Sequence, residues 1–410
     1  MVFLQRLLLV LVGGAFTLAL AALFLGPAEE DAAPSFEVAS TLPEADPGVL
    51  RDLAATLIGA PRAAPGQTAP AAALPPDASF TPSQPLTHVP VSAGPPQVAA
   101  APAPDTAPLA LDIDAAWRAW MAAHGLTEGA LVVLSPDGTM HRTGLERDTA
   151  TSVPVASLSK AITGICLDIV LHEHGLGWYT RLGEISDQMS AVRVTPQAWN
   201  EHITLASLVT HTSGLAPDLT QGTMGSDLHG ALGLHRRIAS EALREENIQG
   251  TPRTFFYNNT NYAVLGVVIE ALTGQSYSEA CLDRVVTPAG ITDATIHGQM
   301  GSRSSYGGWE MSAESYARLA QHWFTAGQPR IDDPASRPMR ENYALGYTIH
   351  GDGAGAQISH GGMFCHNGGP NLGAYVHARG DGTVIVANWS GRCISAGDTA
   401  LGTTFADLME

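Results

Sequence analysis

Ser157-Leu158-Ser159-Lys160, running into Ala161, Ile162, Gly164, Ile165, Leu167, Ile169, Val170 and Leu171, is the stretch on which this chain turns. The apolar run predicts a buried helix that ends near His174-Gly175. Residues i and i+3 share one helical face, so Ser157 and Lys160 stand together at its start. A serine hydroxyl is a poor nucleophile unless a neighbouring base takes its proton, and a desolvated amine can do so. Lys160 is the only lysine in the chain, and every other basic residue apart from histidine is an arginine. Arginine stays protonated, whereas lysine can serve as a base. The competing reading makes Ser157 a simple helix cap.

Working outward, Gly129 to Leu134 and Thr139 to Gly144 read as strands around a Ser135-Pro136-Asp137-Gly138 turn, preceded by an amphipathic helix from Asp112 to His124. From Gly175 to Gln328 the pattern is mainly helical, with helices expected at Thr204–Thr210, Leu232–Glu246, Asn261–Thr273 and Ser312–Ala326. Strands return at Tyr343–His350, Gly355–His360, Asn371–Ala378 and Thr383–Trp389, and Gly397–Glu410 reads as a last helix. The expected fold is therefore α+β. One antiparallel sheet is built from both ends of the catalytic region and flanked by helices, with a mainly helical lobe inserted.

Two further segments carry chemistry. Tyr257-Asn258-Asn259 lies in a polar loop before a buried helix. A phenol near a cation can relay protons, and an amide two residues on can orient a substrate. The bland alternative is a pair of asparagines capping the helix. His360-Gly361-Gly362 is expected to end a strand, where glycines let a substrate approach and backbone N–H groups can hold an oxyanion. His172-Glu173-His174 is a weak metal candidate, because i and i+2 point to different helix faces. His211 is expected to order its loop rather than to perform chemistry. No cofactor and no metal are expected.

Together these segments resemble the serine beta-lactamase and penicillin-binding-protein-like superfamily. Within it they resemble the branch of class C beta-lactamases, Streptomyces-type D-Ala-D-Ala carboxypeptidases, D-aminopeptidases and related esterases. Ser157-Leu158-Ser159-Lys160 matches the Ser-x-x-Lys motif, Tyr257-Asn258-Asn259 the Tyr-x-Asn motif, and His360-Gly361-Gly362 the third. Leu208 to Leu215 (LVTHTSGL) and Gly307-Gly308-Trp309 resemble further family segments. The resemblance runs from about residue 112 to the end. It implies Ser157 as acylated nucleophile, Lys160 as its base partner and Tyr257 as proton shuttle. It implies substrate binding by Asn259, His360, Gly361 and Gly362, and an oxyanion hole from the backbone N–H groups of Ser157 and Met363. His-Gly-Gly departs from Lys-Thr-Gly: the fixed charge and the hydroxyl that would meet a substrate carboxylate are both missing.

Residues 7 to 25 are uncharged and long enough to cross a bilayer, with Arg6 before them and Glu29, Glu30 and Asp31 after. They read as a transmembrane anchor or a cleaved signal peptide with an Ala19-Leu20-Ala21 site; the weak n-region favours the anchor. Residues 27 to 109 are rich in Pro and Ala and read as a disordered tether, leaving 110 to 410 as the hydrolase domain. The protein is expected to be exported across a bacterial cytoplasmic membrane, with the domain in the periplasm, anchored or released. A net charge of -18 argues against nucleic acid as a partner. A small-molecule or peptide substrate, of cell-wall origin if the carboxypeptidase reading holds, is the expected partner, together with the membrane through the N-terminal segment. Of the four cysteines, Cys166 and Cys281 are expected to be core residues, and Cys365 and Cys393 a candidate bridge. The expected activity is hydrolysis of an ester or amide through an acyl-enzyme. The alternatives are a D,D-carboxypeptidase or penicillin-binding function on peptidoglycan, a class C-like beta-lactamase, and a catalytically idle tethered binding protein.

Overall fold

Period-two burial runs along β1 (Glu128–Leu134). Leu131 and Val133 face one apolar cluster, and Ala130, Val132 and Leu134 face another. A strand covered on both faces reads as an unbroken apolar run, which is why its sequence shows no alternation. The computed structural model describes residues 107–221, 234–244, 250–298, 303–333, 337–365, 371–394 and 400–410. Both the Leu7–Leu25 segment and the Pro/Ala-rich stretch up to residue 106 lie outside them. Among the described residues no helix is long and apolar enough to cross a membrane.

Helix α1 (Ala107–Ala123) opens the described chain, starting inside the last residues assigned to the tether. After β1 come β2 (Met140–Leu145) and the short β3 (Val153–Pro154). Next are α2 (Ser159–Glu173), α3 (Ser186–Ala191), α4 (Leu205–Val209), α5 (Leu234–Ala242), α6 (Asn259–Thr273) and α7 (Tyr277–Cys281). Then follow β4 (Thr295–Ile296), α8 (Ser304–Gly307), β5 (Trp309–Met311), α9 (Ala313–Trp323) and α10 (Pro329–Asp332). The chain closes with β6 (Tyr343–Ala344), β7 (Tyr347–His350), β8 (Gln357–Phe364), β9 (Asn371–Arg379), β10 (Val384–Gly391) and α11 (Leu401–Met409).

The main sheet has the order β2-β1-β10-β9-β8-β7-β6 and is antiparallel throughout. Strands from the two ends of the domain meet where β1 pairs with β10, Val132 opposite Val386. Helices α1 and α11 cover one face through Ile113, Trp117, Met121, Phe405 and Met409. The other face joins the large core shared with α2, α6 and α9. A second sheet, β3-β5-β4, has strands of two or three residues, too short to show a period in the sequence.

Two expectations need correction. The strand drawn from Tyr343 to His350 is two strands, split at Leu345 and Gly346, both at positive φ. A Cβ on Gly346 would lie 2.4 Å from the Lys160 carbonyl carbon, so the split lets this turn pack onto α2. Strand β8 does not end at His360. Gly361 and Gly362 continue it, opposite Tyr375 and Ala374. Cys166 and Cys281 are buried as expected, and they form a disulfide joining α2 to α7. Apolar surroundings identify a core cysteine without revealing what faces it. Cys365 and Cys393 are bridged.

Candidate active site

Ser157 sits in a 3-10 turn, Ala156–Leu158, that leads directly into α2. Its side chain does not cap the helix; the N-cap position is Leu158, with no side-chain cap bond. The preceding Ala156 has φ +49°, a left-handed conformation that costs a non-glycine residue about 1 kcal/mol or more. Ser157 lines a small pocket together with Asn259, Arg303, Tyr306, Met363 and Phe364.

Lys160 is fully buried one turn later, its Nζ 3.1 Å from Ser157 Oγ and donating to the Tyr306 carbonyl at 2.9 Å. Burial drives its pKa down to about 7, with Asp218 pulling weakly the other way. The rings of Tyr257 and Tyr262 lie 5.0 and 5.7 Å from the ammonium. Two hydrogen bonds clamp the α8 segment onto α2 and so hold the Tyr306 carbonyl in place. The Trp309 N–H donates to Ser159 Oγ at 3.1 Å, and Thr163 Oγ1 donates to the Ser305 carbonyl at 2.6 Å.

Tyr257 comes from the loop before α6, with its hydroxyl 3.4 Å from His360 Nε2 on β8. Loss of solvent around the hydroxyl raises its pKa above the ordinary phenol value, while the Ser157 hydroxyl lowers it. Tyr262, fully enclosed beside it, is also raised well above the ordinary phenol value by burial. His360 is pushed down to about 3, by burial first and Lys160 second, so its imidazole is neutral at pH 7.

The two asparagines divide their roles. Asn258 caps α6, accepting from the Thr260 N–H at 2.8 Å and donating to the Leu215 carbonyl at 2.6 Å. Asn259 is the first residue of α6, two residues before the expected start. Its Nδ2 donates to Thr220 Oγ1 at 3.0 Å, while its buried Oδ1 has no partner among the described residues. Gly362 is where β8 meets the Ser157 turn: a Cβ there would lie 2.6 Å from the Val155 carbonyl oxygen and 3.1 Å from the Ser157 nitrogen. Gly361 is open, with only the Tyr375 ring at 3.9 Å.

The fold thus brings Ser157, Lys160, Tyr257, Asn259, His360, Gly362 and Met363 to one place, from three separated parts of the chain. The beta-lactamase family model matches residues 113–400. The chain belongs to the beta-lactamase family. A 157-residue stretch is 31% identical to penicillin-binding protein 4 of Amycolatopsis lactamdurans, covering 38% of this chain and 39% of that protein. A 147-residue stretch is 26% identical to protein flp of Staphylococcus aureus, covering 36% and 28%. These alignments span well under half the length of the curated relatives. In fold the chain resembles the D-amino acid amidase of Ochrobactrum anthropi (TM-score 0.58, 15% identity, 74% of this chain and 99% of that one). It also resembles the octameric penicillin-binding protein homologue of Pyrococcus abyssi (TM-score 0.56, 16% identity, 73% and 77%).

Several residues around this beta-lactamase-family site were not anticipated. Tyr306 contributes a backbone carbonyl, a role any residue type can fill, so its identity carried no signal. Asp218 accepts from the Asn259 N–H at 3.1 Å and acts on Lys160 through space. His211 orders its loop as expected, its Nδ1 facing the Asn258 N–H at 3.1 Å and Asn261 Nδ2 at 3.2 Å. It also packs its ring 4.5 Å from that of Tyr257, a contact unforeseen in the sequence. Among the described residues no group of three or more His, Cys, Asp and Glu could hold a metal ion.

Proposed function

We propose that this protein is a serine hydrolase that cleaves an ester or amide bond through an acyl-enzyme on Ser157. The observation that carries this reading is a fully buried lysine, depressed to about 7, with its nitrogen 3.1 Å from the serine oxygen. When Lys160 is neutral, one of its N–H groups stays on the Tyr306 carbonyl and its lone pair faces Ser157. The lone pair takes the hydroxyl proton as Oγ attacks the substrate carbonyl carbon. Negative charge moves to the carbonyl oxygen, which the backbone N–H groups of Ser157 and Met363 are suited to receive. As the intermediate collapses, the leaving group takes a proton through Tyr257. Water activated by the same groups then releases the acid. The free Oδ1 of Asn259 suits a substrate N–H, and His360 holds Tyr257 as a neutral imidazole.

Two of the fold relatives, the amidase and a Streptomyces D-stereospecific amidohydrolase (TM-score 0.52, 17% identity), support amides of D-configured substrates as the first compounds to try. Two disulfides support an exported domain. The test is labelling with a fluorophosphonate. Wild type should take one equivalent, and Ser157→Ala none. Labelling of neither would favour an idle binding protein.

A further inference from the structure

Away from the Ser157 pocket, a groove of about 780 Å³ runs between α4 and the segments at 252–253 and 337–340. Among the described residues its charged lining is Arg253, Arg337 and Arg340, with His202 beside them, and no described lining residue is a carboxylate. Hydroxyls of Thr204 and Ser207 share the wall. This is an unusual concentration of positive charge for a chain of net charge -18. Arg337 is the decisive residue. It is only 4% exposed, one Nη donates to the Arg330 carbonyl, and its Nε and other Nη have no hydrogen-bond partner among the described residues. Asp333 and Asp352 act on it through space and do not line the groove. A buried guanidinium with open donors is costly unless an acceptor fills them. Exposed Tyr179 and Met339 add an apolar rim suited to an organic body.

We infer that this groove binds a small organic oxyanion carrying two or more phosphate or carboxylate charges. Guanidinium forks recognise both groups through paired N–H donors. The site is distinct from the nucleophile pocket but touches the loop that carries Tyr257. The Arg253 N–H donates to the Thr212 carbonyl at 2.8 Å, and the Phe256 N–H to the His211 carbonyl at 2.8 Å.

The test is isothermal titration of the full chain with pyrophosphate and with citrate at fixed ionic strength. At least one should bind with Kd below about 1 mM, and the preferred probe assigns phosphate or carboxylate. Arg337→Gln should weaken binding about tenfold or more. Arg253→Gln and Arg340→Gln, at exposed positions where folding is not at risk, should each weaken it several-fold, and Arg118→Gln on α1 should not. Absence of heat with both probes would overturn the inference. So would binding that survives both Arg253→Gln and Arg340→Gln unchanged.

Discussion

Burial brings Lys160 down to about 7, the range in which the proposed base would have to work. With its pKa near 7, the free-base fraction rises about tenfold between pH 6 and 8. The acylation rate should climb with it, and His360→Gln should leave that limb in place because His360 is already neutral. A flat profile from pH 5.5 to 8.5 would remove Lys160 as the base. Lys160→Arg keeps a charge but cannot accept a proton, so activity should fall by about 10²- to 10⁴-fold. Steady-state rates on any ester that turns over are enough to check both. Ser157 and Lys160 were legible from three residues of spacing and one count. The depressed pKa was not, because it comes from burial, and the residues that enclose the amine arrive from elsewhere in the chain.

At the scale of elements, β8 and the turn before α2 touch through Gly362. In Gly362→Ala the added methyl meets the Val155 carbonyl, which is backbone and cannot swing aside. The variant should lose about 1–3 kcal/mol of stability in urea unfolding and most of its acylation rate. Gly361→Ala, with open space, should lose far less. Between α2 and α7 the Cys166–Cys281 bridge closes a long loop. Thiol titration of the unreduced, denatured protein should find no free cysteine. Replacing both cysteines by alanine should cost about 2–5 kcal/mol. Helix α2 was readable because its apolar run and flanking signals are local. The pairing of its cysteine was not, since Cys281 lies 115 residues away on another helix.

Over the whole molecule, three histidines stay neutral: buried His211 is held well below its ordinary value, half-buried His360 near 3 and buried His377 near 4. Each has a folded pKa below its unfolded one, so the unfolded chain binds more protons as pH falls below about 6.5. Stability should therefore drop between pH 6.5 and 4.5, by on the order of a few kcal/mol, before the carboxylates contribute. Lys160 adds a loss of the same sign between about pH 10.5 and 7. Glu270, near 2 when folded, adds its loss only below about pH 4.5. Denaturant midpoints across this range should flatten in a His360→Gln, His377→Gln double variant. An unchanged slope would show that these imidazoles charge without opposition.

The α+β class, the sheet assembled from both ends and the three motif segments of the candidate site, in order, followed from the sequence alone. Periodicity, turn residues and motif spacing are local properties, and each segment carries its own. Tertiary structure decided which side chains share a pocket. It turned Asn258 into a cap and left Asn259 facing Ser157. It joined Cys166 to Cys281, aimed the Tyr306 carbonyl at Lys160 and gathered three arginines around one groove. Those outcomes depend on contacts between residues far apart in the chain, and on the desolvation that only a closed core imposes.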